Sequence, residues 1–139
     1  MKLRAIIVSG YFNPLHKGHI ELFHKAKAMG DNLFVIVNND YQRSLKGSRE
    51  FMKEDERILI INELEITDKV FISIDRDRSV CLSLENIYNE FSSQYHFSFA
   101  NGGDQNNSIC IERKVCKKLG IKLIDGLGPK IQSSSWLLK

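Results

Sequence analysis

Short apolar runs rich in branched residues alternate with segments of helical periodicity along the whole chain. Leu3–Val8 reads as a buried strand, and Gly18–Met29 as a helix closed by Gly30. Asn32–Val37 follows as a second strand, and Lys53–Leu64 as a helix with Ile58, Leu59, Ile60 and Ile61 on its apolar side. Val70–Ile74, His96–Ala100 and Ile121–Ile124 read as three further strands. Between them, Val80–Phe91 and Ile109–Leu119 read as helices, the latter closed by Gly120. Strands spaced by amphipathic helices predict βαβ units and a parallel sheet covered on both faces. The expected fold is therefore α/β: a Rossmann-like, doubly wound, five-stranded parallel sheet, with one domain filling residues 1–139.

Composition narrows the function classes. The chain is 42% hydrophobic and 27% charged, ordinary for a globular protein, which excludes collagen-like, disordered and disulfide-scaffold classes. The net charge of +3 is spread without a basic tail, so no nucleic-acid partner is expected, while a small anionic substrate is compatible. No apolar run approaches the roughly 20 residues of a membrane span. The opening MKLRAIIVSGYF reads as the first strand rather than a signal peptide. Cys81, Cys110 and Cys116 form no CxxC pair and read as reduced thiols, which predicts a cytoplasmic protein.

In open α/β sheets the ligand lies at the carboxyl ends of the strands. Polar, glycine-rich or basic loops are expected there at Gly10–His19, Asn38–Gly47, Asp75–Arg78, Asn101–Asn107 and Gly126–Ser135. The first is the most informative. His16 and His19 stand three apart at the entry to a helix, so both rings can face the space above the sheet. Gly18 allows close approach to the backbone, and the helix start adds unpaired N–H groups with partial positive charge. This is a phosphate site with two imidazole donors; the plainer reading is that both histidines only cap the helix.

The string Gly10-x-Phe12-x-Pro14-x-His16-x-Gly18-His19 resembles the signature of the HxGH nucleotidyltransferase superfamily of cytidylyltransferases and adenylyltransferases. The resemblance covers nearly the whole chain. Asn38-Asn39-Asp40 and Leu45-Lys46-Gly47 look like the loop that carries a phosphate-binding lysine in glycerol-3-phosphate cytidylyltransferases and heptose-phosphate adenylyltransferases. Glu56-Arg57 matches their acid–arginine pair, Asn101-Gly102-Gly103-Asp104 their glycine-glycine-aspartate loop, and Ser133-Ser134-Ser135 their Ser/Thr cluster at a final helix. Three places depart: Lys130 is the only cation before the serines, where an arginine is usual; Asn13 stands where many members have aspartate; and Gln105-Asn106-Asn107 follow Asp104 where related chains often carry an aromatic residue or arginine.

The resemblance implies transfer of a nucleotidyl group to a phosphorylated acceptor, with release of pyrophosphate. It implies catalytic roles for His16, His19 and Lys46. Gly10, Tyr11, Phe12, Gly18, Gly103, Asp104, Lys130, Ser133, Ser134 and Ser135 are expected at the nucleotide, and Asp40, Arg57, Arg76 and Arg78 at the second substrate. Asp75-Arg76-Asp77-Arg78 also fits a solvated loop, and the three serines also fit a simple helix cap. No protein-only metal cage is expected; Mg2+ would arrive with the nucleoside triphosphate. CTP and a small alcohol phosphate such as glycerol 3-phosphate are the first expectation. ATP with a sugar phosphate comes second, and an inactive nucleotide-binding module third. A homodimer is implied by the same resemblance. Arg113, Lys114, Lys117 and Lys118 read as a solvated helix face, and His24 and His96 as structural or exposed.

Overall fold

The computed structural model describes residues 2–100 and 107–124. The elements are β1 (Leu3–Gly10), α1 (Lys17–Lys27), β2 (Asn32–Val37), α2 (Asp40–Lys46), α3 (Glu54–Asn62), β3 (Lys69–Ile72), α4 (Cys81–Phe91), β4 (Tyr95–Ala100), α5 (Asn107–Leu119) and β5 (Lys122–Ile124). The strands form one five-stranded sheet in the order β3-β2-β1-β4-β5. Every neighbouring pair is parallel.

The pleat sorts side chains by parity. Ala5 and Ile7 of β1 lie on one face with Phe34 and Ile36 of β2 and Phe97 and Phe99 of β4. Val80, just before α4, covers that face with Leu84 and Ile87 of α4 and Cys116 of α5. Ile6 and Val8 lie on the other face with Leu33, Val35 and Val37, covered by Phe23 and Ala26 of α1 and Ile61 of α3. The register pairs Ile6 with Leu33 and Ile7 with Phe34, so like faces meet like. This is why the central strands read as unbroken apolar runs: both of their faces are buried. The expected doubly wound sheet is what forms.

One element departs from expectation. Residues 40–46 were expected in a loop, and they form α2. The helix is only 7 residues long and leaves Tyr41 and Leu45 exposed, so it carries no apolar stripe. It is held by its ends. The Asn39 side chain accepts from the Gln42 N–H, and the Gln42 side chain accepts in return from the Asn39 N–H. Gly47 then closes the helix at φ 81°, a left-handed conformation that glycine adopts without strain.

The strand order places the reversal of winding between β1 and β4. That crevice, outside the carboxyl ends of the two strands, is where open α/β sheets take a ligand.

Candidate active site

β1 ends at Gly10 beside the crevice, and the chain reaches α1 through Tyr11–His16. His16 is the N-cap of α1. Its Nδ1 accepts the Gly18 N–H at 3.0 Å, and the His19 Nδ1 accepts the His16 N–H at 3.1 Å. The two rings stack with centroids 3.8 Å apart. The cap and the paired-donor readings are therefore the same arrangement. A ring nitrogen that accepts an N–H must keep its lone pair, so each neutral ring carries its proton on Nε2. The His16 Nε2 is buried and has no hydrogen-bond partner among the described residues. Burial also pushes the His16 ring below the usual imidazole value, which favours the neutral donor form.

Gly10 and Phe12 support this pair from beneath. The Phe12 ring, 1% exposed, packs edge-on against His19 at 4.9 Å and Phe23 at 5.5 Å. Phe12 has φ 52°, an uncommon conformation for an aromatic residue and one that packing must hold. A Cβ on Gly10 would come within 2.8 Å of the Phe12 ring. The expectation of Phe12 at the nucleotide is thus corrected for its side chain: the ring is core, because it buttresses His19.

Tyr11 turns the other way. The Lys46 Nζ lies 4.5 Å from the centre of its ring. Burial raises the phenol above its ordinary value, an effect opposed by the nearby Arg78 and Arg57 cations. Lys46, expected in a loop, projects from the last turn of a helix and meets the first loop at Tyr11. The Arg76 guanidinium stacks on Tyr41 at 4.0 Å. Arg76 and Arg78 are exposed, on the loop between β3 and α4.

Arg57 was expected at the second substrate, and the structure corrects this. Its side chain is fully buried. NH1 donates to the Tyr11 and Asn38 carbonyls at 2.7 Å each, Nε to the Met52 carbonyl, and NH2 to the Asp40 carboxylate at 2.8 Å. The planar fork thus ties the loops after β1 and β2 to the start of α3. Asp40 is committed in turn: its carboxylate accepts from Arg57 and the Glu54 N–H, while the Asp40 N–H donates to Glu54.

Three organising residues were not singled out in these roles from sequence. Asn13 donates to the Arg49 carbonyl and accepts the Phe51 and Met52 N–H groups, clamping the segment before α3 to the first loop. Gln42 is wholly buried and donates to the Asp77 and Ser79 carbonyls, joining α2 to the arginine-bearing loop. Asp75, expected in a solvated loop, is buried; it accepts the Leu82 and Ser83 N–H groups at the start of α4. Only Asn39-x-x-Gln42 had a local signal, as a capping pattern. The partners of Asn13 lie 36 to 39 residues away, beyond any local pattern. Gly18 lies in the first turn of α1, as expected. Gly103, Asp104, Lys130, Ser133, Ser134 and Ser135 lie outside the described residues.

Among the described residues, no three His, Cys, Asp or Glu side chains come together to hold a metal. The groups around the first loop are mostly donors and cations, suited to an anion. Among the described residues no helix is long and apolar enough to cross a membrane.

Known proteins resemble this chain in sequence and in fold. The FAD synthase of Methanosarcina barkeri is 38% identical over 75 residues, which are 54% of this chain and 53% of that protein. The bifunctional protein HldE of Blochmanniella floridana is 33% identical over 120 residues, 84% of this chain and 23% of that protein. The chain thus spans about half the length of the FAD synthase it matches, and less of HldE. The lipopolysaccharide core biosynthesis protein from Thermoplasma volcanium GSS1 has the same fold, with a TM-score of 0.67 at 23% identity; the match covers 88% of this chain and 95% of that one. The family described as Cytidylyltransferase-like matches residues 7–124, from within β1 to the end of β5. With the stacked histidine pair at the start of α1, that match makes this chain a member of the cytidylyltransferase-like family of nucleotidyltransferases.

Proposed function

We propose that the protein transfers an adenylyl group from ATP to the phosphate of a small acceptor. The observation that carries this reading is the histidine pair, with both Nδ1 atoms spent on backbone N–H groups and the Nε2 atoms left to carry the protons. In the reaction, an acceptor phosphate oxygen attacks the α-phosphorus of the triphosphate. The bond from that phosphorus to the bridging oxygen breaks, pyrophosphate leaves, and a new P–O–P linkage joins AMP to the acceptor. The nucleophile is already an anion near neutral pH, so no strong base is required. What the reaction needs is alignment and donors aimed at the charge that builds on the α-phosphate oxygens. His16 and His19 supply those donors, and Lys46 adds a full positive charge from the end of α2. The start of α1 contributes its partial charge. Gly18 in its first turn keeps the approach open, and Gly10, through Phe12, holds the rings at the right height. Arg57 and Asp40 act as positioning residues, because they fix the loops that carry the donors.

The donor groups around the first loop suit phosphate rather than a metal ion, so Mg2+ would come with the triphosphate and would supply neutralisation of charge on the leaving pyrophosphate. Gly103, Asp104, Lys130 and the three serines at 133–135 remain assigned to the nucleotide by the resemblance alone. A homodimer likewise rests on the resemblance, and a cytoplasmic location on the reading of the three cysteines as reduced thiols.

The sequence-based order of CTP before ATP is reversed in this reading. Support comes from the FAD synthase relatives, because FAD is FMN carrying an added AMP. FMN is therefore the first acceptor to try, with glycerol 3-phosphate and sugar phosphates beside it. Pyrophosphate release should be measured with ATP or CTP against each acceptor. Release that requires ATP and one phosphate monoester is the expected result. Release with CTP alone would restore the cytidylyl reading, and none with any pair would favour an inactive nucleotide-binding module.

A further inference from the structure

The capping box at the start of α2 needs only one oxygen from each of its two side chains. Asp at 39 and Glu at 42 would supply those oxygens as well as the Asn39 and Gln42 that stand there. What the amides add is donors, and both amides aim theirs at the loop between β3 and α4, residues 73–80. Asn39 Nδ2 donates to the Ser73 and Asp75 carbonyls at 2.9 and 3.0 Å. Gln42 Nε2 donates to the Asp77 and Ser79 carbonyls at 2.7 and 2.8 Å. The bonds thus fall on alternate residues along the loop, and Gln42 is 0% exposed, so water does not compete for its pair. At the surface the Arg76 guanidinium stacks on the Tyr41 ring at 4.0 Å, a further contact between the same two segments.

α2 depends on such ties. It is 7 residues long with Tyr41 and Leu45 exposed, and so short a helix is not stable by itself. Lys46 sits on it one turn beyond Gln42, while Arg76, expected at the acceptor from the resemblance, sits on the loop. We infer that Gln42, with Asn39, is a positioning residue that locks α2 and the loop after β3 into one unit, so that Lys46 and Arg76 are set together and the triphosphate and the acceptor bind with positive coupling. A ligand that orders the unit at one cation has already ordered the other, and the second ligand then binds at a smaller entropic cost. The coupling rests on the transfer reading for the identity of its ligands; the tie between the two segments does not.

Gln42→Glu keeps an oxygen for the Asn39 N–H and loses the donors to Asp77 and Ser79. Asn39→Asp does the same for Ser73 and Asp75 at a half-buried position, and serves should the first variant fail to fold. Native-state hydrogen exchange tests the tie without any ligand. The N–H groups of Arg43 and Gly47 in α2, and of Asp75 and Ser79 in the loop, are all hydrogen-bonded. In wild type the two sets should open together; in either variant the loop set should lose about tenfold or more in protection relative to the α2 set. Sets that open independently in wild type, or still together in a folded variant, would overturn the tie. For the coupling, FMN and inorganic phosphate are each titrated with and without a saturating non-reacting ATP analogue. The analogue should tighten FMN about fivefold or more in wild type, FMN should tighten the analogue by the same factor, and either variant should bring that factor toward one. A general loss of stability would weaken both ligands and leave the factor alone. A wild-type factor near one with both probes, or an unchanged factor in the variants, would overturn the coupling. If no phosphate monoester supports pyrophosphate release by wild type, the transfer reading falls, and the exchange comparison still upholds or removes the tie.

Discussion

At the scale of single residues, His16 does two jobs that one substitution can separate. Its Nδ1 caps α1, and its Nε2 carries the proton proposed for the α-phosphate. Ala at this position should lose both, costing about 1 kcal/mol of stability for the cap and ~100-fold or more in turnover for the donor. His16→Asn keeps an N-cap acceptor and should recover most of the melting temperature while turnover stays low. His19→Ala should show a similar loss of turnover. Melting curves and kcat measured on the same preparations check this pair of effects; near-wild-type turnover in either Ala variant would remove that histidine from the chemistry. Gly10 belongs at this scale too. Gly10→Ala drives a methyl into the Phe12 ring, which must shift from beneath His19. A stability loss of about 1–3 kcal/mol, with a fall in kcat, is the expected outcome in denaturant titration and assay.

At the scale of elements, the site is an assembly of loops tied at a buried guanidinium. Arg57 serves the loop after β1, the residue after β2, the segment before α3 and the first residue of α2. Removing it strands three carbonyls and takes one partner from the Asp40 carboxylate. Arg57→Met should cost about 3 kcal/mol or more, and Arg57→Lys should recover only part of it, since an ammonium cannot span the same fork. Urea midpoints for the two variants test the order, and a methionine variant as stable as wild type would refute the role. Because α2 is a short helix held by end caps, Lys46 has a defined anchor. Lys46→Ala should raise the KM for the triphosphate and lower kcat without a large change in melting temperature. An unchanged KM would move Lys46 out of the phosphate site.

At the scale of the whole molecule, α5 is joined to α4 through Glu112. This carboxylate is buried and accepts the Val80 N–H at 2.9 Å, with Asp75 and Asp77 nearby. Burial, aided by those two carboxylates, pushes it up to about 7 from 4.5. The folded protein therefore holds a proton that the unfolded chain gives up above pH 4.5. The contribution of this group is fully present below that pH and is lost as pH rises through about 7. Glu112→Gln keeps the acceptor for Val80 and cannot ionise. It should match wild type in acid and become more stable by up to about 3 kcal/mol above neutrality. Stability measured from pH 4 to pH 8.5 tests the sign: a constant difference between the two proteins would mean that Glu112 does not titrate in this range.

The sequence alone determined the sheet and the loop that carries the family signature. Strand runs buried on both faces leave an unbroken apolar signal, and the Gly10–His19 string concentrates its information in ten neighbouring residues. Both are local patterns, so they are legible in one dimension. What only tertiary structure decided is how that string is supported. Arg57 was expected at the second substrate beside Glu56; it is a buried tie, because its partners include carbonyls 46 and 19 residues away. Asp75 looked solvated until α4 brought two N–H groups onto it. Phe12 and Tyr11 stand side by side in the chain and diverge in space, one into the core and one toward Lys46 and Arg78. Burial and long-range hydrogen bonding depend on which segments meet, and that is set by the order in which the strands pack, not by any residue's neighbours in sequence.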